Sequence, residues 1–400
     1  MNRIIPALLV AAFVLALMPF AQYEAESFGL CFLVVASAAL LVFWRRDVFA
    51  IPASPFLLTG GLFWFLALLS VLFSAAPYVS FVYFCFFSVL PLAFIVMLSA
   101  PDKAQFFKIA GGGIALVFAV LALSSLVQFF FMPEMLFKGR VQWPLANPNS
   151  LAGLFSLGFF CALGGMYAAR TRLHSNIALV LSVLLLAALL TTGSRGAFAA
   201  LIPASILFFI LARGFIRIHQ RCTLVLGIAT VVVFTMINFF PREGALPFSL
   251  IIAGTMDGSI SPLSSRPAIW ESAMRIMADH PWTGTGVGTF FLYYPEYRGA
   301  DLNSAGLMAH NDPLQFGAEM GIFAVVAFYA FIFMAGARTW CAVSKLAQDD
   351  ALRIYIAAPF CALVALIIGA HVTFHFYVLP ILLVTGILAA HKNEMSHARL

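Results

Sequence analysis

Charge is scarce in this chain. Only 10% of its 400 residues are Asp, Glu, Lys or Arg, against about 25% in an ordinary soluble domain. So few charges cannot cover a water-facing surface, and disordered or coiled-coil architectures fail on the same ground. Cysteine is scarce too. Cys31, Cys85, Cys161, Cys222, Cys341 and Cys361 all fall in apolar runs or in short connections on one side, which leaves neither a disulfide framework nor a cysteine-based metal pattern. There is no His-Glu-x-x-His, no outward Asp-x-Asp and no internal repeat. The lack of two similar halves argues against a transporter built from repeats. What the chain has is apolar residues, 63% of the total, with 43 phenylalanines. It reads as an all-α integral membrane protein, because a bilayer-spanning helix consumes roughly 20 apolar residues.

Apolar runs broken by charge clusters and by Pro or Gly place spans near 4–20, 28–44, 56–74, 79–99, 109–131, 151–169, 177–192, 197–212, 222–240, 313–337, 354–371 and 376–390. That makes about 12 transmembrane helices in a single polytopic domain, 1–400. The first run, with Arg3 ahead of an apolar stretch to Phe20, resembles a signal peptide; with further spans behind it, it reads as an uncleaved first helix. If the N-terminus is cytoplasmic, seven cations face outward: Lys138, Arg140, Arg195, Arg242, Arg266, Arg275 and Arg298. The remaining 15 of the 22 face inward. The positive-inside rule then puts both termini in the cytoplasm. The net charge of +6 is mostly this bias and signals no nucleic acid.

Two connections are long, and both face outward. The first runs from Met132 to Ser150. The second occupies 241–312, and long loops are usually functional or disordered. Within it, Ser264-Ser265-Arg266-Pro267 reads as a helix start, with serine as cap and proline in the first turn. Ala268 to Ala278 follows as an amphipathic helix with Ile269, Met274, Ile276 and Met277 on its apolar face, and Pro281 ends it. Gly284-Thr285-Gly286-Val287-Gly288-Thr289-Phe290 is a flexible turn with several exposed backbone N–H groups. It joins two helices, or it also brings backbone close to a ligand; no strand precedes it, so a dinucleotide site is disfavoured.

Arg195 lies in Thr192-Gly193-Ser194-Arg195-Gly196, a tight outward hairpin. It either snorkels to lipid headgroups or forms an anion site, for which the planar guanidinium fork suits phosphate oxygens. Arg266 opens the loop helix, whose N-terminus also favours an anion. Together they suggest a diphosphate held at the membrane surface. His310, in Ala309-His310-Asn311-Asp312-Pro313, should sit at the outer face at the depth of Arg195. Glu319 falls about two turns into the tenth span, where a carboxylate is costly; it orients His310, pairs with Arg195 or satisfies a neighbouring helix. His371 and His375 have a spacing that puts two imidazoles on one helix face, for a metal or for packing. Asn147-Pro148-Asn149-Ser150 caps the sixth span or touches sugar hydroxyls.

In this order (Ser194-Arg195-Gly196; Arg266-x-x-x-Trp270; Pro281-x-x-Gly284-x-Gly286-x-Gly288-x-Phe290; His310-Asn311 with Glu319-x-Gly321) the residues resemble the O-antigen ligase superfamily. That superfamily also holds O-antigen polymerases and protein O-oligosaccharyltransferases. The motifs cover about 190–322. The chain lacks the further C-terminal external region of protein-glycosylating members, which favours the lipopolysaccharide ligase type. The resemblance implies a glycosyltransferase C-type architecture with a helical periplasmic loop, an active site facing the periplasm and a place in the bacterial inner membrane. It implies transfer of a glycan from undecaprenyl pyrophosphate to a sugar hydroxyl of lipid A–core, inverting and metal-independent, with no cofactor.

The residues fit that chemistry. A pyrophosphate leaving group needs its developing charge stabilised more than it needs a proton, a task for Arg195 and Arg266. The acceptor hydroxyl needs a general base, and His310 suits it; Asn311 and Glu319 would support the site. The nearest alternatives are a polymerase, with a second lipid-linked glycan as acceptor, and a protein O-oligosaccharyltransferase. A lipid-linked glycan flippase is the alternative from another class, although its charges should line the spans and not gather at one face.

Overall fold

The computed structural model describes residues 3–18, 25–44, 55–100, 103–239, 266–299 and 306–397. These form helices and turns, with no strand among the described residues beyond a single bridge between Phe137 and Arg140. In chain order the helices are α1 (Ile4–Ala16), α2 (Ala25–Trp44), α3 (Pro55–Leu72), α4 (Pro77–Leu98), α5 (Lys103–Phe131), α6 (Pro148–Ala168), α7 (Arg172–Thr191), α8 (Arg195–Leu211), α9 (Arg213–Ile218), α10 (Gln220–Phe239), α11 (Arg266–Asp279), α12 (Phe290–Tyr297), α13 (Asp312–Met320), α14 (Ile322–Ser344), α15 (Ala351–Ala370) and α16 (Leu379–His397). Seven of these, α4 to α7, α10, α14 and α15, are long and apolar enough to cross a membrane by length and composition; five more apolar helices are shorter. The loop residues 240–265 and 300–305 lie outside the described residues, and with them the expected cap at Ser264-Ser265.

α6 is buried along almost its whole length, between α7 and α15. A helix that is apolar all round belongs inside, and small residues let its neighbours approach. A Cβ on Gly164 would collide with Ala358 of α15, and one on Gly153 with the ring of His375. α10 is the opposite case: Leu224, Val225, Ile228, Val231 and Val232 are exposed, as a lipid-facing helix requires.

The expected span 313–337 is two helices. Gly321 breaks it at φ +81, and the Ile322 N–H turns to the carbonyl of Pro281 at 2.8 Å. Glu319 therefore sits on the short α13, ahead of the span α14. The cause is a docking contact from the second long loop, which no local apolar pattern reports.

The bundle has two chemically distinct ends. At one, Arg353 donates from Nε to the Leu211 carbonyl (2.6 Å) and from Nη1 to those of Val343 (3.0 Å) and Leu346 (3.1 Å). One cation thus satisfies orphan carbonyls where α8 and α14 finish. Arg213 bonds Gln348 there as well. At the other end, about 30 Å away along the 20 residues of α7, the starts of α6, α8 and α13 meet the residues that follow α15. The candidate site is at this second end.

Candidate functional site

Arg140 is carried by a two-residue hairpin. Phe137 and Arg140 exchange backbone bonds of 2.9 and 3.1 Å, and Lys138 (φ 50) and Gly139 (φ 71) both occupy the left-handed region that such turns demand. Its guanidinium is then clamped, with Nε donating to the Thr192 carbonyl at 2.7 Å and Nη2 to Asn149 Oδ1 at 2.9 Å. Both acceptors are neutral, so neither cancels the charge. Asn147 caps α6 by accepting from the Asn149 N–H, and that cap aligns Asn149 for Arg140.

Arg195 is the first residue of α8. The tight turn through Gly193 (φ 57) ends at Ser194, whose hydroxyl accepts from the Ala197 N–H and caps the helix. Arg266 opens α11, which packs on α13. Ile269 and Ile276 are buried on the packed face as expected, but Met274 is 47% exposed, and Ala273 and Ser272 take the inner positions. The helix is only 14 residues long, and its docked stripe uses small residues where a larger one was anticipated.

His310 stands just before α13 with φ +53, a conformation that costs an L-residue on the order of 1–2 kcal/mol. Its ring lies 5.1 Å from that of Phe374, and its Nδ1 is buried without a hydrogen-bond partner. Burial, then the Arg266 charge, pushes the imidazole down to about 4, so it is neutral at neutral pH. The Arg140 guanidinium is pushed down to about 10 by burial and by the charges of Arg195 and Arg266, and Arg266 is lowered by burial and by Arg195. Three arginines and one neutral histidine therefore share one half-buried region. Arg140 was not among the site residues singled out from sequence; its only signal was its place in the outward loop, nine residues before Asn149.

Glu319 does not touch His310 or Arg195. Its buried carboxylate accepts from the Gly288 N–H (2.6 Å), the Phe290 N–H (3.1 Å), Gln315 Nε2 (3.0 Å) and the Tyr377 hydroxyl (2.6 Å). The glycine run is accordingly not a set of exposed donors. Thr285 and Gly286 donate to the carbonyls of Ala318 and Glu319, and Val287 donates to Ser70. This turn bolts the second loop onto α13. Gly288 has φ +79, and a Cβ there would strike the Tyr83 ring. Gly288→Ala is expected to lower stability by about 2–5 kcal/mol through strain and overpacking, seen as a lower melting temperature in detergent. Gly227→Ala, which meets nothing within 4 Å, should leave it unchanged.

Asn311 caps α13 by accepting from the Leu314 N–H, and its Nδ2 donates to the His371 carbonyl at 3.0 Å. His371 and His375 do not share a helix face, because α15 ends at Ala370, ahead of both. His371 bonds Tyr329 and the Ile367 carbonyl, while His375 is buried against α6. Among the described residues, no three His, Cys, Asp or Glu side chains converge.

Such a cluster of cations beside a neutral imidazole has the chemistry to hold a polyvalent anion and take up a proton next to it. No curated protein matches the chain. The sequence model of the Wzy_C family, described as O-Antigen ligase, matches residues 180–329, which include Arg195, Arg266, the glycine turn, His310 and Glu319. Over those residues the chain is similar to the O-antigen ligase family.

Proposed function

We propose that the chain is a lipopolysaccharide O-antigen ligase. It moves a glycan from undecaprenyl pyrophosphate to a sugar hydroxyl of lipid A–core, at the periplasmic face of the bacterial inner membrane, with both termini in the cytoplasm. The observation that carries this reading is the convergence of Arg140, Arg195 and Arg266 beside His310 at one end of the bundle. The cations of the opposite end, Arg213 and Arg353, match the inward side expected from the positive-inside rule.

The reaction needs no metal. The acceptor hydroxyl gives its proton to His310; with Nδ1 buried, Nε2 is the nitrogen that takes it. The hydroxyl oxygen forms its bond to the anomeric carbon opposite the departing phosphate, so the configuration inverts. The anomeric carbon–oxygen bond breaks, its electron pair leaves on the lipid diphosphate, and the three guanidiniums stabilise that charge as it develops. Asn311 and Glu319 support the site by fixing the start of α13 and the glycine turn.

The test is transfer in proteoliposomes holding the purified protein and undecaprenyl-pyrophosphate glycan, with and without lipid A–core, and without nucleotide sugar or added metal. Glycan on lipid A–core only when that acceptor is present is the expected result. Longer lipid-linked chains without the acceptor would instead assign a polymerase, and movement of glycan across the bilayer without a covalent product would assign a flippase.

A further inference from the structure

His310 holds an unfavourable backbone conformation, and something must hold it there. On its C-terminal side Asn311 is tied to the end of α15 through the His371 carbonyl. On its N-terminal side the buried Ala309 N–H donates to Gln315 Oε1 at 2.9 Å. The same Gln315 side chain, itself buried, donates from Nε2 to Glu319 Oε1 at 3.0 Å and to Met308 Sδ at 3.3 Å. The orientation of this amide is fixed by its partners: an N–H must meet its oxygen, and a carboxylate must meet its nitrogen. Glu319 in turn receives the N–H groups of Gly288 and Phe290. A continuous set of bonds thus runs from the glycine turn through Glu319 and Gln315 to the residue before His310.

We propose that Gln315 is a positioning residue for His310, its amide coupling the glycine turn to the left-handed backbone that presents the imidazole beside Arg266. The proposal rests on the reading of His310 as general base. An amide is the head group this place requires, because it accepts from Ala309 and donates to Glu319 at once. Leucine fills similar space and does neither. A glutamate accepts from Ala309 and meets the Glu319 carboxyl, which burial holds up at about 7; once alkali ionises both, no proton is left between them, and lower pH restores the donor.

The experiment compares the parent with Gln315→Leu and Gln315→Glu in detergent or proteoliposomes. The pH dependence of His310 modification by diethyl pyrocarbonate, resolved by peptide mass spectrometry, reports the imidazole without any turnover. Transfer kinetics report kcat and KM for the lipid-linked donor. In the parent the modification midpoint should lie near 4. In Gln315→Leu it should rise toward the unperturbed value of about 6.5, since the ring leaves its burial and Arg266. The same variant should lose kcat by on the order of 10²-fold, as a displaced catalytic group does, with donor KM changed far less. Gln315→Glu should be impaired on the alkaline side of neutral, where both carboxyls are ionised, and recover as pH falls, a comparison made within one folded protein should Gln315→Leu fail to fold. A folded Gln315→Leu with the parent's midpoint and kcat would overturn the proposal, as would a Gln315→Glu without acid recovery. Full transfer by His310→Gln would instead remove the general-base reading, and the modification midpoints would still decide whether Gln315 holds the ring.

Discussion

His310→Gln is expected to lower kcat for glycan transfer by about 10²–10⁴-fold, the contribution of a positioned general base, while the variant still binds the lipid-linked donor. Glutamine keeps the bulk and polarity beside Phe374 but cannot take the acceptor's proton. The pH profile gives a second and sharper reading. A base must be unprotonated to work, so activity rises as pH climbs through its pKa. With the imidazole at about 4 in the free protein, kcat/KM should be flat across the neutral range and fall only on the acid side, near 4. One of the two causes of that low value is the Arg266 charge, and a bound diphosphate would neutralise it. The acid limb of kcat, which reports the substrate complex, should therefore lie at higher pH than that of kcat/KM. Donor binding would then strengthen the base that uses it. Limbs in the reverse order, or His310→Gln within a few-fold of the parent, would sink the assignment.

Much of the helical frame is legible in the sequence because its signals are local. Charge clusters and Pro or Gly interrupt the apolar runs, and Asn147, Ser194 and Asn311 cap helices where their residue types prefer to be. The misses are set by distant contacts. Gly321 breaks a run that is apolar on both sides because the Pro281 carbonyl, 41 residues earlier in the sequence, takes the Ile322 N–H. The glycine turn looks like free donors until Glu319 is seen to hold two of them. His371 and His375 fit a helical spacing, but α15 ends at Ala370. Outward placement and residue type point to Arg195, Arg266 and His310, and the fold brings them together. Arg140 is tied to the Arg195 hairpin through Thr192, 52 residues away, a pairing that no motif around it encodes.

Arg140→Gln should cost about 10²–10³-fold in kcat, the scale of removing one preorganised donor to a developing charge. The variant keeps an amide able to donate to the Thr192 carbonyl or to Asn149, so the hairpin's anchorage is partly retained while the charge is lost. Two effects on stability oppose each other. Bonds of 2.7 and 2.9 Å to neutral acceptors are weakened, but a desolvated cation that repels Arg195 and Arg266 is gone. Like charges at short range in a partly buried site interact more strongly than in water, so the relief should offset the loss, and the melting temperature should stay at or above the parent's. Added pyrophosphate separates this from a generally damaged fold. By linkage an anion that binds the native state raises the melting temperature with its concentration. The parent should show that rise, Arg140→Gln a smaller one, and Lys138→Ala, which removes an exposed charge two residues away, nearly the parent's. Equal pyrophosphate responses in parent and Arg140→Gln, together with parental kcat, would reduce Arg140 to a bracket between α6 and α7. A collapsed response with the melting temperature intact would mean that the clustered charge is kept for the diphosphate, at the expense of a stabler apo protein.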